Sequence, residues 1–164
     1  TAAVTLTPPV QVVSPVTPVA VVLGSQALGS MSPSPPASSG TETLLIVENE
    51  AAIRNLLQVA LRRNGYTVLA AESGREALDL VQDHSGPIHL LITDVMMPDI
   101  DGPELVRRLS TIRPETRTLF MSGYMDDALG EQGVLPSSVN FIQKPFSPRA
   151  IAQKVRDILD GISS

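Results

Sequence analysis

The chain contains no cysteine and no tryptophan, and only three phenylalanines and two tyrosines in 164 residues. Without cysteine there are no disulfides, thiolate metal sites or thiol nucleophiles. Charge is missing from a whole region: Thr1–Thr41 holds no Asp, Glu, Lys or Arg, so the formal net charge of −5 belongs to Glu42–Ser164. That mild acidity, without clustered Lys and Arg, argues against direct nucleic-acid binding. No apolar run approaches the ~20 residues of a membrane span. Val19–Gly24, the longest in the uncharged region, is short and lacks a basic flank, so it is not read as a signal peptide. The expectation is a cytoplasmic protein with no membrane contact by this chain.

What is present divides at the onset of charge. Residues 1–41 are rich in Pro, Val, Ser, Thr, Ala and Gly. Prolines 8, 9, 15, 18, 33, 35 and 36 forbid a helix. Met31–Gly40 reads as a flexible linker with polyproline II character. Val10–Val13 and Val19–Leu23 have strand composition, but the stretch as a whole is expected to be mostly disordered. The first residue is Thr, which suits a fragment or processed chain. Residues 42–164, about 120 in number, are enough to bury roughly two-thirds of their unfolded surface in one core.

From Thr43 strands and helices alternate. Thr43–Val47, Tyr66–Ala71, Ile88–Thr93, Arg117–Met121 and Val139–Gln143 read as apolar strands. Between them, Glu50–Asn64 has helical apolar spacing and is stopped by Gly65, and Ser73 caps a second helix with Glu76 in the capping-box position. Pro103–Ile112 is a third helix, Met125–Gln132 a short weak fourth, and Ser147 caps a last one reaching about Gly161. Such alternation predicts a parallel sheet covered on both faces, a doubly wound flavodoxin-like (βα)5 fold with strand order 2-1-3-4-5. Ligands in such folds collect at the C-terminal strand ends, beside the switch point between strands 1 and 3.

Those two strands end in Glu48-Asn49-Glu50 and Asp94. Two carboxylates in one cleft repel unless something positive joins them. Mg²⁺ meets that need, taking one or two carboxylates and accepting phosphate oxygens. Lys144 ends the fifth strand and Ser122 the fourth. Carboxylate, cation, lysine and hydroxyl around one point suit phosphoryl transfer to Asp94.

Four pieces in order, each at a strand end, carry a family likeness: Leu45-Ile46-Val47-Glu48-Asn49-Glu50, Asp94-Val95-Met96-Met97-Pro98 with Asp101-Gly102, Met121-Ser122-Gly123-Tyr124, and Lys144-Pro145-Phe146. Leu44–Ser164 resembles the receiver domain of two-component response regulators, while Thr1–Gly40 lies outside the likeness. The resemblance implies that Asp94 accepts a phosphoryl group from a histidine kinase or histidine phosphotransfer protein. It implies Mg²⁺ held by Asp94, Glu48, the position of Asn49 and the Met96 backbone carbonyl. Lys144 would contact the phosphoryl oxygens and Ser122 close onto them. Phe141 stands where the family has a switch aromatic, and the Lys144–Pro145 bond would be cis. The output face would be the fourth helix, fifth strand and last helix, which also offers a homodimer surface.

The chain ends soon after the last helix, and a Pro-rich stretch precedes the domain. That layout resembles the C-terminal receiver of a hybrid sensor histidine kinase, with a stand-alone receiver as the alternative. One position departs from the pattern: the family has two adjacent acids after strand 1, and the second is here Asn49. Mg²⁺ binding should be weaker by at least the roughly 10–100-fold that outer-shell changes cost. Asn49 is also a good helix N-cap by type. A pseudo-receiver that docks without phosphotransfer is the serious alternative. A flavin or nucleotide binder lacks the phosphate loop it needs after strand 1. A dehalogenase-type phosphatase would want an acid at Met96. His84 and His89 are expected away from the pocket, as surface or strand-edge residues and not phosphodonors.

Overall fold

Four apolar runs of strand length followed by helices dictate how this chain folds. The computed structural model describes residues 40–123 and 139–162. β1 (Thr43–Val47), β2 (Thr67–Ala71), β3 (Leu90–Asp94), β4 (Arg117–Ser122) and β5 (Asn140–Gln143) form one parallel sheet in the order β2-β1-β3-β4-β5. This is the strand order expected from the sequence.

The central strands are apolar on both faces over most of their length, with Thr93 the buried polar residue inside β3, because helices cover both sides. Successive residues point to opposite faces. Leu44 and Ile46 of β1 therefore pack with Leu57 and Leu61 of α1 (Ala51–Arg63) and with Ile151, Val155 and Ile158 of α4 (Pro148–Asp160). Leu45 and Val47 pack on the other side with Ala77 and Val81 of α2 (Gly74–Asp83) and Leu105 and Leu109 of α3 (Gly102–Ile112). Each fully buried Leu contributes roughly 2 kcal/mol.

Caps set the helix limits. The hydroxyls of Ser73 and Ser147 and the carboxylate of Asp101 accept from the backbone N–H groups of Glu76, Ala150 and Glu104. Gly65, at φ 89°, takes the left-handed conformation that turns the chain out of α1 into β2.

Most differences from expectation are one or two residues at element ends. β3 and β4 each run one residue further, so that Asp94 and Ser122 are the last strand residues. Asn49 is not the N-cap of α1: Glu50 holds that position, and its side chain makes no capping bond. Helix periodicity tolerates a one-residue slip that the backbone turn does not. The expected helix Met125–Gln132, and the expected disorder and strands before Gly40, lie outside the described residues. Among the described residues no helix is long and apolar enough to cross a membrane.

Candidate functional site

The parallel register carries three charged side chains to one end of the sheet. Val47 of β1 pairs with Thr93 of β3, Asp94 with Met121 of β4, and Ser122 with Gln143 of β5. Glu48 and Lys144 follow their strands by one residue. The Glu48 N–H donates to the Ala71 carbonyl at 3.2 Å and the Lys144 N–H to the Ser122 carbonyl at 2.8 Å, so the sheet ladder holds both backbones. The Lys144–Pro145 peptide is cis, as the family likeness implies.

Lys144 Nζ donates to Glu48 Oε2 at 2.6 Å and to Asp94 Oδ2 at 2.7 Å. Glu48 is 1% exposed, and the side chains of Asp94 and Lys144 are 15% and 16% exposed. One ammonium therefore serves two carboxylates with little help from water. Burial alone would lower the lysine pKa; the hydrogen bonds to Asp94 and Glu48 outweigh it and hold Lys144 above the usual lysine value. One negative charge is left over. Two carboxylates about 5 Å apart repel by roughly 3 kcal/mol at an effective dielectric near 20.

The surrounding backbone is tied down. The Glu50 N–H donates to Glu48 Oε1 at 3.0 Å. Arg54, from the first turn of α1, donates to the carbonyls of Glu48 at 2.7 Å and Asn49 at 3.2 Å. Beneath Asp94 the Val95 N–H donates to the Met121 carbonyl, and the Gly102 N–H to the Val95 carbonyl, both at 3.0 Å. A Cβ at Gly102 would lie 2.3 Å from the Asp94 carbonyl oxygen, so only glycine lets α3 start this close to the acid.

The other expected site residues fall around this cluster. Ser122 is buried at the end of β4. Met96 is 66% exposed in the loop after β3, and Asn49 is exposed beside Glu48. Phe141 is half-buried in β5 opposite Phe120. The histidines lie elsewhere: His84 caps the C-terminal end of α2, and His89 Nδ1 accepts from the Thr43 N–H at 3.0 Å at the opposite end of the sheet. His89 is thus a partly exposed structural acceptor just before β3, a strand-edge position as expected.

Arg54 was not picked out from sequence, and no spacing marks an arginine that reaches back six residues to backbone carbonyls. Among the described residues no group of three or more His, Cys, Asp or Glu could hold a metal ion. The donors the structure brings together at this end are the carboxylates of Glu48 and Asp94. The pair fits Mg²⁺, which takes one or two carboxylates and completes its shell with water.

Comparison with known proteins gives this arrangement a family: the response regulator receiver domain matches residues 44–156. The chain belongs to that family. Sensor kinase CckA of Brucella abortus is 38% identical over 122 residues, which are 74% of this chain and 13% of that protein. Response regulator receiver protein CpdR of the same organism is 32% identical over 116 residues, 71% of this chain and 95% of that protein. The crystal structure of the receiver domain of hybrid histidine kinase CckA superimposes with a TM-score of 0.61 at 36% identity, covering 71% of this chain and 98% of that one. This receiver is therefore similar both to one small part of a large kinase and to nearly the whole of a small regulator.

Proposed function

We propose that this receiver, residues 42–164 with 1–41 as a tether, accepts a phosphoryl group on Asp94 from a phosphohistidine of a histidine kinase or phosphotransfer protein. The observation that carries the reading is the single ammonium of Lys144 shared by Glu48 and Asp94. A carboxylate oxygen of Asp94 forms the new P–O bond as the P–N bond of the donor breaks, and the imidazole leaves as a neutral ring after taking a proton. Lys144 neutralises the incoming phosphoryl oxygens. The Ser122 hydroxyl lies one strand away, where it donates to a phosphoryl oxygen once the group is attached. Phe141 then repacks, and the change is read on the face of β5 and α4. Glu48, Asp94, Asn49 and the Met96 carbonyl would hold Mg²⁺, which when bound offsets the negative charge gathered by acid and phosphate. The domain is a signalling module, not an enzyme, and its likeness to CckA supports a place in a hybrid kinase.

Asn49 supports a second reading, a pseudo-receiver that docks without phosphotransfer, because an exposed amide brings the metal no charge. Incubation with a small-molecule phosphodonor in millimolar Mg²⁺ separates the two. The phosphoacceptor reading expects a mass gain of one phosphoryl group, lost in Asp94→Ala, and stable beryllofluoride binding. No mass gain and no beryllofluoride binding at any Mg²⁺ concentration would leave only the docking module.

A further inference from the structure

The loop from β3 to α3 carries the Met96 carbonyl, and its far half is fastened to a different helix. The first free N–H groups of α2 belong to Gly74, Arg75 and Glu76, and helix starts need partners for such donors. Ser73 of the same helix takes only the last, its Oγ accepting at 3.2 Å. The other two are taken by Asp99 from the loop: Oδ1 accepts from the Gly74 N–H at 3.4 Å and Oδ2 from the Arg75 N–H at 3.2 Å. These residues are 25 and 24 positions apart in the chain.

Packing repeats the message. A Cβ at Gly74 would lie 2.7 Å from Ile100 Cβ and 3.0 Å from the Ile100 carbonyl oxygen, so the loop backbone sits against α2 where only glycine fits. The Ile100 N–H and those of Arg75 and Gly74 together hold the Asp99 carboxyl below the ordinary aspartate value against a small opposing effect of burial. The loop is thus pinned at three points: Val95 to β4, Gly102 back to Val95, and Asp99 to α2. Met96, Met97 and Pro98 span the interval between the first and last.

We propose that Asp99 is a positioning residue for the metal half of the site, its clamp on the start of α2 holding the loop so that the Met96 carbonyl is already in place for Mg²⁺. The inference rests on the phosphoacceptor reading. Asp99 touches neither metal nor phosphoryl group. Its effect is preorganisation: a loop already ordered loses less freedom when an ion binds.

The test is a Mg²⁺ titration of the intact chain followed by backbone amide NMR shifts, with hydrogen exchange at Gly74 and Arg75 and melting temperature measured alongside. Asp99→Ala should weaken Mg²⁺ binding about 10-fold, the scale of outer-shell losses at metal sites, and speed exchange at both amides. Ser73→Ala removes the other cap of the same helix. It should lower the melting temperature but leave Mg²⁺ affinity within about twofold. Should Asp99→Ala fold poorly, Gly74→Ala pushes Ile100 from the other side and should also weaken Mg²⁺ binding. Asp99→Glu should restore part of the affinity. If the Asp99 and Gly74 variants bind Mg²⁺ as wild type does, Asp99 is a helix cap and the inference fails while the site stands. If wild type takes up no Mg²⁺, the phosphoacceptor reading fails and takes the inference with it.

Discussion

Each end of the sheet holds one cation between two carboxylates, and the two ends do different things with it. At the N-terminal ends of the strands, Arg156 pairs with Glu42 at 3.0 Å and Asp160 at 2.6 Å. At the C-terminal ends, Lys144 pairs with Glu48 at 2.6 Å and Asp94 at 2.7 Å. The counts of charge are the same. The surroundings are not: Asp160 is 45% exposed and lies one helical turn from its partner, so water carries the surplus charge. Glu48 and Asp94 are nearly dry and come from different strands. Arg156 also binds Asp160 with a two-pronged guanidinium fork, whereas Lys144 is a point charge that a competing cation can share. A closed cluster at one end stabilises the fold; an underpaid one at the other is ready for an ion or a phosphoryl group.

The sharpest way to break the comparison is to remove each cation. Lys144→Met leaves two nearly buried carboxylates facing each other and should cost about 3 kcal/mol in Mg²⁺-free buffer, at the low end for breaking a buried pair because the site is not fully closed. Arg156→Met leaves Asp160, which water reaches, and Glu42, which is only partly buried, and should cost about 1 kcal/mol. Urea denaturation of the two variants checks the order, and equal losses would mean that burial does not distinguish the ends.

How far this contrast was legible beforehand depends on which link of the chain is asked for. Glu48, Asp94 and Lys144 each follow an apolar run, so strand alternation and a parallel sheet were enough to bring them together. The opposite cluster was not readable, because Glu42 and Arg156 are surface-type residues whose meeting depends on where α4 lands on β1. Asn49 was misread as a cap by one residue, since periodicity locates a helix but not its first turn. Arg54, Asp99 and Gly74 escaped for a related reason. Their partners are backbone groups, and backbone donors and acceptors have no signature in the sequence. Gly102 stood inside a recognised motif, yet its cause, the closeness of the Asp94 carbonyl, is a distance across a turn.

A divalent ion should sharpen the difference from the other side. A ligand bound only by the folded state stabilises it, by about 2.7 kcal/mol at one hundred times its dissociation constant. Mg²⁺ should therefore raise the melting temperature through the Glu48–Asp94 end alone, with Asp94→Ala abolishing the rise and Asp160→Asn leaving it intact. Asn49→Asp returns a charged ligand to the open end. If affinity rises about tenfold, the Mg²⁺-dependent stabilisation grows by ~1.4 kcal/mol at saturation. A wild-type affinity equal to that of Asn49→Asp would show that the amide serves the ion as well as an acid does.

The smallest expected effect is in pH, and the two ends should move at opposite limits. Glu42 is pushed up by burial, but its hydrogen bond with Arg156 and backbone N–H groups pull it further down, so its carboxyl sits below the ordinary 4.5. A depressed acid stabilises the fold above its unfolded value and loses that contribution as pH falls through the folded one. Lys144 sits above its ordinary 10.5. A raised base stabilises the fold below its unfolded value and loses that contribution as pH climbs through the folded one. The stability gap between wild type and Glu42→Gln, about 0.5 kcal/mol for a partly exposed pair, should be flat at neutral pH and close below about pH 4.5. Going up from neutral pH, the gap to Lys144→Met should be flat to about pH 9 and close above about pH 10.5. If the Lys144→Met gap stayed unchanged above about pH 10.5, loss of the ammonium's charge would not matter to the fold, and the contrast between the two ends would not rest on how each holds its cation.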